Sequence, residues 1–206
     1  MSGGRSDAGA RERERLADEV ISFWVDETGP EGWYAGDEAL DGAITARFGD
    51  AAREACEEGP AAWLTGPRAA LAFLILVDQF PRNIHRGEGA AFACDDAARC
   101  AAKHALARGW DKEIGEPERQ FFYLPLMHSE SVADQERGVR LIMTRMRETG
   151  ESNLLHARAH REVIRRYGRF PYRNAALGRK DTAAEAAFLD AGGYGAVLRE
   201  MQGETA

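Results

Sequence analysis

The chain has 206 residues, 44% of them hydrophobic and 30% charged, with a formal net charge of −7 at pH 7. That length fits one domain with a sizeable core, and the composition argues against a membrane protein, a disulfide scaffold and a disordered acidic chain. Alanine occurs 36 times, against 21 for Val, Ile and Thr together, which favours helix because alanine loses no side-chain entropy there.

Residues 1–9 read as a polar, disordered tail, and 10–202 as a single helical domain. The polar start lacks the apolar run of an export signal, which points to a cytoplasmic protein. A first helix is predicted from about Ala10 to Val25, with Leu16, Val20, Phe23 and Trp24 on one face. Gly29, Pro30 and Gly32 break it and leave Trp33 and Tyr34 in a loop. A second helix begins near Asp37 and carries Leu40, Ile44 and Phe48 up to Gly59-Pro60. Pro67 opens a third, whose apolar run Ala69 to Val77 is about half the length needed to cross a bilayer and so reads as core.

The fourth predicted helix covers Ala90 to Arg108 and stops at Gly109. Pro117 opens a fifth, which Pro125 is expected to kink or end. Ser131-x-x-Asp134 resembles a capping box for a sixth helix to about Glu148, and Ser152 is expected to cap a seventh ending at Tyr167. Thr182-x-x-Glu185 is another such box, starting an eighth helix through Leu189, with a short helix after Gly193. The expected fold is all-α, an irregular α-α superhelix of about eight helices, tetratricopeptide-like but without that 34-residue repeat. Cys56, Cys94 and Cys100 form no C-x-x-C pair and sit in alanine-rich stretches, so they are expected to be reduced and structural.

Charge is unevenly placed. Residues 152–180 carry seven arginines and Lys180 against Glu162 alone, a net of +7, so the remainder sums to −14. The overall acidity argues against a nucleic-acid binder. Arginine forks suit carboxylate and phosphate, so the basic stretch reads either as docking on the chain's own acids or as an anion site.

Three segments depart from amphipathic helix. In Leu76 to Gly87, a wholly apolar helix ends in Asp78, where a carboxylate opposes the helix dipole and calls for a partner. In Phe121 to Glu130, the proline bend delivers His128, Ser129 and Glu130 to one corner, as acid–base machinery or as capping chemistry. From His156 to Arg179, His156 and His160 have a zinc-helix spacing, but Ala157 stands where H-E-x-x-H needs glutamate, so no metal is assigned. Phe80-Pro81-Arg82-Asn83 and Phe170-Pro171-Tyr172-Arg173-Asn174 read as matching helix-end turns, each offering an arginine and an asparagine. Phosphate loops, dinucleotide fingerprints, nucleophile elbows and EF-hand loops are missing from the sequence, and no cofactor is assigned.

These blocks, with Asp134-Gln135-Glu136-Arg137, Phe23-Trp24 and Trp33-Tyr34, resemble the uncharacterised bacterial family known as domain of unknown function 924, over roughly residues 16–190. The resemblance implies an all-helical, tetratricopeptide-like fold and no established activity. The family-like polar positions are Asp78, Gln79, Arg82, Asn83, Arg86, His128, Ser129, Glu130, His160, Arg169, Arg173 and Asn174. Tyr172 stands where the family usually shows histidine, and His85 where it usually shows tyrosine; His85 would supply the imidazole if the two turns face each other.

Two functional expectations follow. In the first, Arg82, Asn83, Arg169, Arg173 and Asn174 hold an anionic small molecule, while His128 with Glu130, or His160 with Asp78, serves as acid or base in hydrolase- or lyase-type chemistry. In the second, a helical module binds a peptide in a groove, with Trp33, Tyr34 and Trp110 as anchors and the charged residues as structural pairs. Neither involves nucleic acid or membrane.

Overall fold

The computed structural model describes residues 3–203, and every regular element among them is helical. Helix α1 (Gly3–Ile21) runs into a wider π-helical stretch at Ser22–Thr28 and ends in one turn, α2 (Gly29–Gly32). Residues 3–9, expected as a tail, are thus the first turns of a helix; residues 1 and 2 lie outside the described residues. Trp33 and Tyr34 lie in the turn after α2, as expected, but Trp33 is buried and its Nε1 donates to the Trp24 carbonyl at 2.6 Å.

Asp37 caps α3 (Glu38–Glu58) by accepting from the Ala39 amide, as its position before the apolar periodicity predicts. Helix α4 (Pro67–Leu74) continues through a π turn at Ile75–Gln79 into α5 (Phe80–Ile84). Pro81 brings no amide hydrogen and a bulky ring; the widened turn before it accommodates both, so the chain stays helical where a stop was expected. The first Phe-Pro segment is therefore helix interior, whereas the second is a 3-10 turn, Pro171–Arg173, after the left-handed Gly168. The two are not equivalent turns.

A 3-10 turn (Gly89–Phe92) leads to α6 (Asp95–Arg108), which Gly109 ends at φ 75°. Pro125 does not kink a helix. It sits in the first turn of α7 (Leu124–Met127), where a missing amide costs nothing, after a 3-10 turn at Glu118–Phe122. Ser131 precedes α8 (Val132–Arg145) without forming the expected box, because Asp134 is taken by Lys103 and by the Ser129 hydroxyl. Gly150, not Ser152, precedes α9 (Glu151–Tyr167). The Thr182–Glu185 box does form and opens α10 (Ala183–Asp190), followed by α11 (Gly193–Gln202).

The cysteine expectation is corrected. Cys56 near the end of α3 and Cys94 before α6 form a disulfide, with Cα atoms 5.8 Å apart, and Cys100 is free and exposed. A separation of 38 residues gives no local signal of that pairing, which arises when α3 and the start of α6 are brought together across the core.

The helices bury two apolar clusters. The larger is built around α4 and its π turn, with Trp24, Phe73, Phe80, Phe121 and Phe122 inside it. The smaller gathers Ala159, Val163, Ile164, Phe170, Phe188 and Val197 under the C-terminal helices. Helix α9 belongs to both, contributing Ala157 to the first and Ala159 to the second. No helix among the described residues is long and apolar enough to cross a membrane.

Replacing Thr182 by alanine removes one arm of the only helix cap among the described residues that reciprocates, Glu185 also accepting from the Thr182 amide. Urea unfolding of Thr182→Ala should show a loss of about 1 kcal/mol.

Candidate functional site

Where the two cores meet, side chains from all three unusual segments close a ring of alternating charge. Asp78 Oδ1 lies 2.8 Å from His128 Nδ1 and 3.5 Å from Arg82 Nη2. Arg82 Nη2 reaches Asp95 Oδ1 at 2.8 Å, and Asp95 Oδ2 accepts from Arg173 Nη1 at 3.1 Å. Arg173 Nη1 also donates to the His128 main-chain oxygen at 3.2 Å, which returns the ring to its start. The Arg173 guanidinium lies between the Phe92 and Phe170 rings, 4.4 and 4.5 Å from their centroids. Gln79 donates to the second Asp78 oxygen at 2.5 Å, so the buried carboxylate is partnered on both oxygens.

One side of this ring forms the wall of a cavity of about 480 Å³. Helix α5 and the turn before it contribute Gln79, Arg82 and Asn83; α9 contributes Ser152, Asn153, His156 and His160. His128 follows α7, Tyr194 lies on α11, and Trp33 and Tyr34 complete the wall from beyond α2. Tyr34 bridges the opening by donating to Gln120 Oε1 at 2.5 Å, an oxygen that also accepts from Asn153. Arg86, outermost on the α5 side, is held bidentately by Asp41.

The electrostatics set the protonation states. Burial would raise Asp78, but the Arg82 guanidinium and then His128 more than reverse it and hold the carboxyl at about 2. His128 is pushed below the ordinary imidazole range by burial and then by Arg82, against the opposing pull of Asp78. His160 is lowered to about 3, by burial first and then by His128 and Arg173. Its Nδ1 donates to the Met127 carbonyl at 3.1 Å, and its ring centroid is 6.3 Å from that of His128. Both imidazoles are neutral at pH 7. Each has Nδ1 engaged and lines the cavity.

The model of the family described as bacterial protein of unknown function (DUF924) matches residues 20–193. The chain belongs to this family. The DUF924 protein is similar to a solved structure, a protein of unknown function, ATU0120, from Agrobacterium tumefaciens. The two are 39% identical, with 86% of this chain and 98% of that one covered and a TM-score of 0.80. No curated protein matches the chain.

Of the residues singled out from sequence, the DUF924 structure places Arg82, Asn83, His128 and His160 on the cavity wall, with Asp78 directly behind them. The pairings differ from those expected. Asp78 meets His128 rather than His160. Glu130 turns away from His128, accepting from the Phe170 amide and, on both oxygens, from Arg179. Arg169 pairs with Glu185, Asn174 donates to Asp181, and Arg173 is spent on Asp95; none of the three lines the cavity. His85 is also elsewhere, 3.9 Å from Glu88. Sequence reasoning missed Asn153, Tyr194 and Asp95. Asp95 had a signal, since two arginines set in apolar surroundings require an acid, but nothing local named which one.

Two outcomes follow for the DUF924 protein. Asp95→Ala leaves Arg173 with no carboxylate, and its urea unfolding free energy should fall by about 3 kcal/mol, as for other broken buried pairs. Asp78 and His160 both bind protons less readily folded than unfolded, where their values are about 3.9 and 6.5. Their contribution to stability is complete above about pH 6.5 and is lost on acidification, His160 first and Asp78 below about pH 4. Unfolding measured from neutral to about pH 4.5 should show this loss, and His160→Phe should flatten it.

Proposed function

We propose that the cavity binds a small polar molecule and that His128 acts on it as a general base through Nε2, in chemistry of the hydrolase or lyase class. The observation that carries this reading is the 2.8 Å contact between Asp78 and His128 Nδ1 in a ring that also lines the cavity. An ionised carboxylate can only accept, so it fixes the proton on Nδ1 and leaves the Nε2 lone pair for a substrate proton. Asp78 is buried behind the ring and serves as a positioning residue, and Gln79 and Arg82 hold its carboxylate in turn. His160 supplies a second neutral acceptor in the same wall.

The arginines contribute differently from the sequence expectation. Arg82 and Arg173 already share Asp95 as their anion. An acidic group on a ligand would therefore meet Arg86 at the opening and the outward edge of Arg82, not a pair of empty guanidinium forks. Two of the aromatic residues expected as peptide anchors are likewise engaged. Trp33 is buried in the cavity wall and Trp110 packs on the larger core.

The test is a turnover screen with small esters, lactones and hydroxy acids on wild type, His128→Ala and Asp78→Asn. Activity in wild type should fall by about 10²–10⁴-fold in His128→Ala. Its kcat/KM should stay level through neutral pH and past pH 6.5, falling only on further acidification, since the working form is the neutral ring and burial has lowered its titration. Turnover that survives intact in His128→Ala would overturn the reading.

A further inference from the structure

We infer that the ligand of this cavity is a neutral polyol of the sugar type, which presents two neighbouring hydroxyl groups to the Nε2 atoms of His128 and His160. This rests on the reading of His128 as a neutral base and extends it to the chemistry of what is bound.

The argument begins with two partners that cannot donate. The Met127 carbonyl accepts from His160 Nδ1, and the Asp78 carboxylate accepts from His128 Nδ1. Each Nδ1 therefore carries the hydrogen. Each ring is neutral, so each Nε2 is a lone pair, and among the described residues neither Nε2 has a protein donor. The two rings face the same cavity with centroids 6.3 Å apart and planes inclined at 49°. The inner end of the site is thus a pair of adjacent acceptors, and a ligand that fills it without donors would leave both unsatisfied.

A polar ligand can meet this end as an anion, an ammonium or an uncharged hydroxyl, and the surroundings select one. A carboxylate or phosphate brings no donor and meets two lone pairs, so an anion is disfavoured at this end. An ammonium brings donors, but Arg82 lies against Asp78 beside His128, and Arg173 bonds the His128 carbonyl. Asp78 and Asp95 balance these guanidinium groups, yet both imidazoles beside them are held unprotonated, and an ammonium would meet the same local field. Uncharged hydroxyls meet neither objection, and a vicinal diol brings two of them on neighbouring carbons. The remaining walls agree. Trp33, Tyr34 and Tyr194 bring aromatic carbon to the lining, and Asn83 and Asn153 bring side-chain amides.

The experiment has two readouts on the purified protein, the ¹⁵N imidazole shifts and binding by calorimetry. The probes are D-ribose and myo-inositol, with 1-propanol, ethylamine and acetate as contrasts, at concentrations up to about 100 mM. The expected result is that the two polyols bind, move the Nε2 resonances of both rings and outcompete the contrasts. His160→Phe, which keeps the ring packed against Phe170 and Tyr194 but has no acceptor, should weaken polyol binding about tenfold. His160→Gln, which retains an acceptor oxygen, should recover part of it. Preferential binding of ethylamine or acetate, no polyol binding at all, or polyol affinity unchanged in His160→Phe would each overturn the inference. The free protein's spectrum separates this from failure of the underlying reading. A His128 that carries its proton on Nε2 at pH 7 refutes the base assignment itself, whatever binds.

Discussion

Asp95 holds the molecule together at its least forgiving point. It is the acid on which two arginines from opposite halves of the chain converge, 13 residues after Arg82 and 78 before Arg173. Charges taken out of water are tolerable only when paired and hydrogen-bonded, so each member of the ring justifies its neighbours. Remove the aspartate and Arg173 loses its counter-charge inside an aromatic surround, while Arg82 is left with Asp78 alone. The seam between the two apolar cores can be polar because the ring is closed.

The same ring prepares the imidazoles. Positive charge from Arg82 and Arg173 works with burial to keep His128 and His160 unprotonated, while Asp78 and a main-chain carbonyl fix which nitrogen carries hydrogen. Neutrality and tautomer are thereby set by separate groups. One network supplies structure, protonation state and direction of the free lone pairs.

Much of this was legible in the sequence, and the boundary has physical causes. Alanine excess, Asp37, Pro67, Gly109 and the Thr182–Glu185 box announce helices through local propensities and caps, and those elements are present. The polar segments around Asp78, His128 and Arg173 stand out because ionisable groups in apolar context need partners, and they do converge. Which groups partner which is a tertiary matter. His128 takes Asp78 from 50 residues away and leaves its near neighbour Glu130 to Arg179. The two prolines differ from expectation for related reasons: a π turn lets the helix run on past Pro81, and Pro125 falls at a helix start rather than inside a helix. The Cys56–Cys94 bond and the contribution of Tyr194 to the cavity depend on helix packing that no periodicity encodes.

The spacing of the ring along the chain bears on how the protein is made. Residues 78, 82 and 95 leave the ribosome long before 128 and 173, and domains take shape as they emerge. During that interval Arg82 and Asp95 have one another, but Asp78 lacks its imidazole and Asp95 half its charge complement. A nascent chain cut short before Phe170 would carry an almost complete first core around an open polar circuit, with both Phe170 and Arg173 absent from the gap. Closure of the circuit is thus a late event in the life of each molecule, and truncated copies lack the Arg173 contact that completes the pairing of Asp95.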